Sequence, residues 1–94
     1  MDTPLSNAAI KAALKQLPGW LHKGNHIEKA FSFPTFPAAI ATMVRISFEA
    51  ERLNHHPDWT NCYTRLTIRL STHDAGDRIT AKDVQLARRI EAAL

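Results

Sequence analysis

The stretch Arg65-Leu66-Thr67-Ile68-Arg69-Leu70 sets Leu66, Ile68 and Leu70 against Arg65, Thr67 and Arg69 in strict alternation. Successive side chains of a strand leave opposite faces, so this segment needs an apolar layer on one side and tolerates water on the other. Such a strand belongs to an antiparallel sheet covered on one face, since strands of a parallel sheet are buried on both and read as continuous apolar runs. The rest of the chain has to supply the cover.

Three segments have the spacing to do so. Ile10, Leu14 and Leu17 recur at helical intervals behind Ser6-Asn7, either of which can cap, and Pro18-Gly19 stops a helix spanning roughly Asn7 to Leu17. A second helix opens at Pro34 or Thr35 with Pro37 in its first turn and runs to about Leu53, with Ile40, Met43, Val44, Ser47, Phe48 and Glu51 along an apolar stripe. A third starts at Thr80-x-x-Asp83, a capping-box pattern, and turns Val84, Ala87, Ile90 and Leu94 inward. Between the first two, short runs flank Lys23-Gly24-Asn25-His26 and predict a β-hairpin, the Gly-Asn pair supplying positive φ. Trp59 to Tyr63 is either a separate strand or the same strand as Arg65–Leu70 across a bulge, and "HDAGDR" is a loop. The expected fold is α+β, a four-stranded antiparallel sheet with three helices packed on one face in the order α-β-β-α-β-β-α.

At 94 residues the chain holds one core and one domain, 1–94. Its 45% hydrophobic and 22% charged content is that of a globular domain. Cys62 is the lone cysteine and mid-strand, where it packs, and the first residues lack the order of a signal peptide; a reducing cytoplasm is the expected location. No apolar run approaches the ~20 residues of a membrane span. The net charge of +3 and pI near 9.4 are basic, but Lys and Arg are scattered and not clustered with aromatics, so no nucleic-acid partner is expected. The uncovered sheet face predicts self-association as a homodimer or homotetramer.

The chemistry concentrates at "NHHPDW", Asn54 to Trp59. Asn54 suits the left-handed end of a helix, and Pro57 pushes His56 out of helical space, so His55 and His56 sit on a stiff corner. Imidazole, with an ordinary pKa of about 6.5, gives and takes protons near neutrality. His73 ends the extended run at the sheet rim. Glu51, about one turn before His55, either reaches to water from the helix end or faces whatever the histidines hold. If the second helix lies over the strand, three histidines and a glutamate converge. His22 and His26 flank the hairpin turn and are left outside the set. A zinc site is the rival, but adjacent histidines on an extended backbone point apart and neither H-x-x-x-H nor H-x-H occurs, so no metal is expected. No G-x-S-x-G elbow supports a serine hydrolase.

Glu51, three residues, His55-His56-Pro57, five residues, Tyr63, nine residues, His73, and Asp83 ten positions on together resemble the signature of the pterin-4a-carbinolamine dehydratases. The likeness runs through "HHPDWTNCYTRLTIRLSTHDAG" and "TAKD", nearly half the chain, and length and element order agree elsewhere. It implies elimination of water from a 4a-hydroxytetrahydropterin to the quinonoid dihydropterin. In that role the enzyme keeps the tetrahydropterin of aromatic amino acid hydroxylases cycling, with no bound cofactor. It implies His55, His56 and His73 as the catalytic set, without assigning acid and base. It further implies Glu51 on the pterin's hydrogen-bonding edge, Pro57 and Trp59 shaping the pocket, and Ser71-Thr72 offering backbone groups. Asp83 matches the last acidic position of the signature and is also where a capping box wants an acid. Two departures stand out: "HDAGDRITAKD" is about one residue longer than the family's form, with Asp77-Arg78 where a second glycine is usual, and Asn54 stands where some relatives carry Asp. Some family members resemble scaffolds for a protein partner, so a non-catalytic dimerisation or assembly role is the alternative.

Overall fold

The computed structural model describes residues 2–94. Helix α1 (Asn7–Leu14) is followed by the hairpin strands β1 (Leu21–Lys23) and β2 (His26–Ser32), helix α2 (Phe36–Leu53), strands β3 (Asp58–Cys62) and β4 (Arg65–Leu70), and helix α3 (Ala81–Ala92). All strands pair antiparallel in the order β1-β2-β4-β3. This is the expected α+β architecture. The segment expected from Trp59 to Tyr63 is a strand of its own that ends at Cys62, because Tyr63 takes φ 54 and turns the chain straight back into β4; Cys62, expected to pack, is exposed.

Alternation decides which face is covered. Leu66, Ile68 and Leu70 of β4 lie opposite Phe31, Lys29 and Ile27 of β2, and Trp59 of β3 is paired with Ile68. Ile27, Leu66, Ile68 and Leu70 are completely buried, under Ile10, Ile46, Ala50, Leu86 and Ile90 from the helices. Arg65, Thr67 and Arg69 face the open side with Thr60 and Glu28, and Arg69 donates to the Thr60 hydroxyl at 3.1 Å.

The helix ends are built as their sequences require. Ser6 accepts from the Ala9 N–H, Thr35 from the Ala38 N–H, and Thr80 with Asp83 closes a reciprocal capping box. Helix α1 stops at Leu14, three residues short of the expected end, since Pro18 forces the last turn open; Leu17 is nevertheless buried. The stretch His73–Ala75, expected as plain loop, forms one turn of 3-10 helix closed by Gly76 at φ 76.

One expectation about α2 is corrected. Its buried side is Ala39, Thr42, Ile46 and Ala50, whereas Ile40, Val44 and Phe48 of the expected inward stripe are exposed, Phe48 by 60%. The helix carries two apolar faces. The face with Ala39, Thr42, Ile46 and Ala50 is the one buried, α2 making its close approach to α3, and Met43 lies between the faces, partly buried. Glu51 shares the outward face and is exposed for that reason. In α3, Val84, Ala87 and Ile90 point inward as expected, joined by Leu86 and Asp83, while Leu94 lies beyond the helix and is exposed.

The two faces of α2 are separable by stability. Ile46→Ala should cost about 3 kcal/mol by leaving a cavity, and Val44→Ala should stay within about 0.5 kcal/mol. Urea unfolding of both variants in dilute protein measures this; the reverse order would put the other face in the core.

Candidate active site

The left-handed turn at Asn54, φ 48 and ψ 45, ends α2, its N–H and that of His55 bonding back to carbonyls of the last helical turn. His55 is thereby swung under the helix end and buried, whereas His56 stays exposed on the corner that Pro57 stiffens. Strand β4 delivers Ser71, Thr72 and His73 to the same rim. A hollow of about 250 Å³ results, lined by Asn54, His55, His56, Ser71, Thr72, His73, Asp74 and Lys82. The three histidines expected to converge do line one open space.

Each ring is partnered by a different carboxylate. His55 Nε2 donates to Asp83 Oδ1 at 2.5 Å, a pair with almost no accessible surface. The other oxygen, Asp83 Oδ2, accepts from the Thr72 hydroxyl and from the Thr80 N–H, both at 2.9 Å. Because the one Thr72 hydroxyl proton is committed there, the 2.7 Å contact between Thr72 and Thr80 hydroxyls has Thr80 as donor. An ionised carboxylate only accepts, so with Asp83 ionised the proton lies on His55 Nε2, and in the neutral ring of that pair Nδ1 is the basic nitrogen. No buried side-chain nitrogen or oxygen lacks a partner among the described residues. Nδ1 of His55, which makes no hydrogen bond to protein, is therefore the part of the ring that solvent reaches.

The other two pairs are exposed. His56 Nε2 lies 2.6 Å from Glu51 Oε1. His73 Nδ1 lies 3.0 Å from Asp77 Oδ1 at the edge of the hollow. The hydrogen bond to Asp77, its charge and the nearby charge of Asp74 all favour the protonated ring, and the pKa of His73 is raised. The three rings thus occupy distinct electrostatic settings. Among the described residues no group of three or more His, Cys, Asp or Glu side chains is arranged to share a metal ion.

Several expected contacts fall elsewhere. Glu51 does not line the hollow; it holds His56. Pro57 and Trp59 are also outside the lining, Trp59 packing against the core. Thr72 lines the hollow, but its N–H donates to the Arg78 carbonyl and its own carbonyl accepts from Ala75 and Arg78, which leaves no main-chain group free for a ligand. Asp83 has no accessible surface, so direct contact with a substrate gives way to positioning of His55. The choice between cap and site dissolves: one carboxylate oxygen caps α3 and the other holds the histidine.

Residues 3–93 match the family model described as pterin 4 alpha carbinolamine dehydratase. The chain belongs to the pterin-4a-carbinolamine dehydratase family. Its members are hydro-lyases. A protein of Opitutus terrae bearing the provisional name pterin-4-alpha-carbinolamine dehydratase is 53% identical over 97% of this chain and 94% of its own. A Roseiflexus sp. protein with the same provisional name is 46% identical over 97% of each. In structure, the chain superposes with a TM-score of 0.92 on a transcriptional coactivator/pterin dehydratase from Brucella melitensis, 32% identical, covering 97% of this chain and 98% of that one.

Within the family frame, the departure at Asp77 acquires a physical sense. Asp77 adopts φ 57, a conformation that glycine takes freely and aspartate tolerates, and its carboxylate is the partner of His73. Asp74 and Lys82 are lining residues that sequence reasoning missed. For Lys82 a signal existed: a cation in the first turn of a helix opposes the helix dipole.

The His73–Asp77 pair yields a measurable consequence. A raised pKa means that the ring keeps its proton to higher pH than an ordinary histidine and loses it as pH rises through that value. Asp77→Asn should move the His73 titration, followed by NMR of the ring protons, toward lower pH; an unmoved titration would show that Asp77 does not set it.

Proposed function

We propose that this chain dehydrates a 4a-hydroxytetrahydropterin to the quinonoid dihydropterin by histidine acid–base catalysis, recycling the tetrahydropterin cofactor of aromatic amino acid hydroxylases. The observation that carries the reading is three imidazoles around one hollow, each with its own carboxylate. Hydroxide is a poor leaving group, so the C4a–O bond needs a proton delivered to oxygen as it breaks. His73, biased toward imidazolium, suits that role. The bond's departure is balanced by the N5 electron pair forming the new C=N bond, and the N5 proton goes to a neutral ring. His55 suits it, since Asp83 holds the Nε2 proton and leaves Nδ1 to accept. Water leaves, and the two histidines regain their starting protonation through solvent. Asp83 acts through His55 and Glu51 through His56, and Ser71, the residue after β4, offers its backbone groups to the ring from the lining of the hollow. No metal or bound cofactor takes part in these steps.

A second reading is favoured by one observation, the exposed apolar stripe Phe36, Ile40, Val44 and Phe48 on α2. In it the chain self-associates as a homodimer or homotetramer, or holds a protein partner, through that face. The Brucella protein's description as a coactivator accords with such a role. A cytoplasmic location fits both readings.

The dehydratase reading predicts that the purified protein accelerates loss of the 4a-carbinolamine absorbance. His55→Ala and His73→Ala should each lower kcat by about 10²-fold or more, the scale of general acid–base assistance, and a chelator should leave the rate unchanged. No acceleration by the wild-type protein would refute it.

A further inference from the structure

We infer that Lys82 is a substrate-binding residue of the hollow, donating to an oxygen acceptor of the bound pterin, and that Asp2 positions it; the inference rests on the dehydratase reading. Lys82 is the second residue of α3, directly after Thr80 and Ala81. A lysine there meets the positive end of the helix dipole, where an acidic residue is the stabilising choice. Local rules broken in this way are expected where function asks for the residue. Lys82 also lines the hollow with the three histidines, and among the described residues it is the only lysine or arginine that does so.

The side chain is held in place from outside. Its ammonium lies 3.1 Å from Asp2 Oδ2, a pair joining residues far apart in sequence, with both side chains partly buried. Three residues on from Asp2, the Leu5 N–H donates to the Ile79 carbonyl at 2.8 Å, which ties the chain to the residues just before α3. An ammonium group has three protons to donate. Asp2 occupies one direction and leaves the others for a ligand. A pterin ring presents a carbonyl oxygen, and its substituent presents hydroxyl oxygens; a fixed cation at the rim suits such acceptors. Asp74, the carboxylate lining the same hollow, keeps the rim from being purely cationic.

The test separates binding from a merely structural tether. kcat and KM for the carbinolamine, and the dissociation constant of 7,8-dihydrobiopterin by fluorescence titration, are measured for wild type, Lys82→Met, Lys82→Arg and Asp2→Asn, with circular dichroism reporting folding. Lys82→Met should raise KM and the dissociation constant about tenfold, the scale of one charge-assisted hydrogen bond, with kcat within about twofold. Lys82→Arg should restore most of the affinity. Asp2→Asn, which keeps the ammonium and loosens its tether, should cost about two- to threefold. Equal losses in Lys82→Met and Asp2→Asn, or unchanged affinity in Lys82→Met, would overturn the inference while wild-type activity upholds the dehydratase. A wild-type protein that neither binds dihydrobiopterin nor dehydrates the carbinolamine would overturn the reading beneath it.

Discussion

A buried carboxylate is among the more costly groups a small domain can carry, and Asp83 is buried completely. It is tolerated because three donors from three parts of the chain meet it: His55 from the corner after α2, Thr72 from the end of β4, and Thr80 at the start of α3. Removing any one partner would leave that charge short of a donor in a low-dielectric interior. The same contacts that dock α3 against the sheet therefore fix the position of His55, the histidine proposed as base. Fold and site share one set of hydrogen bonds.

Around this fixed centre the two other histidines are held more loosely. The His56–Glu51 and His73–Asp77 pairs lie in water, where screening reduces the worth of an ion pair and the side chains retain freedom. The division suits a two-proton reaction. A base must be aimed at one atom, whereas an acid that delivers its proton and regains it from solvent benefits from exposure. Asn54 and Pro57 make the division possible, since a left-handed residue and a proline-restricted one direct adjacent rings to opposite settings, one inward and one outward.

The architecture was legible because its local signals agree. Alternation along β4 named the covered face, and Ser6-Asn7, Pro34-Thr35 and Thr80 named the helix starts to within a residue, the caps being Ser6, Thr35 and Thr80. Of the spaced pattern from Glu51 to Asp83, only the three histidines line the hollow, with Glu51 and Asp83 bonded to two of them from outside it. Less legible was anything that depends on which of two equivalent choices packing selects. Helix α2 is apolar on two sides, and periodicity cannot say that Ala39 and Ala50, not Val44 and Phe48, are buried. Side-chain pairings were hidden as well. A single carboxylate serving as cap and as histidine partner has the sequence signature of the cap alone, and the link from Asp2 to Lys82 spans nearly the whole chain with no local trace.

The central claim is that Asp83 holds the Nε2 proton of His55 and leaves Nδ1 to act as base. Long-range nitrogen–proton NMR on the ¹⁵N-labelled protein, at a pH where the ring is neutral, reads the tautomer directly. The account predicts a protonated Nε2 and a bare Nδ1 for His55, with that distribution lost in Asp83→Ala. A neutral His55 protonated on Nδ1 in the wild-type protein would contradict it.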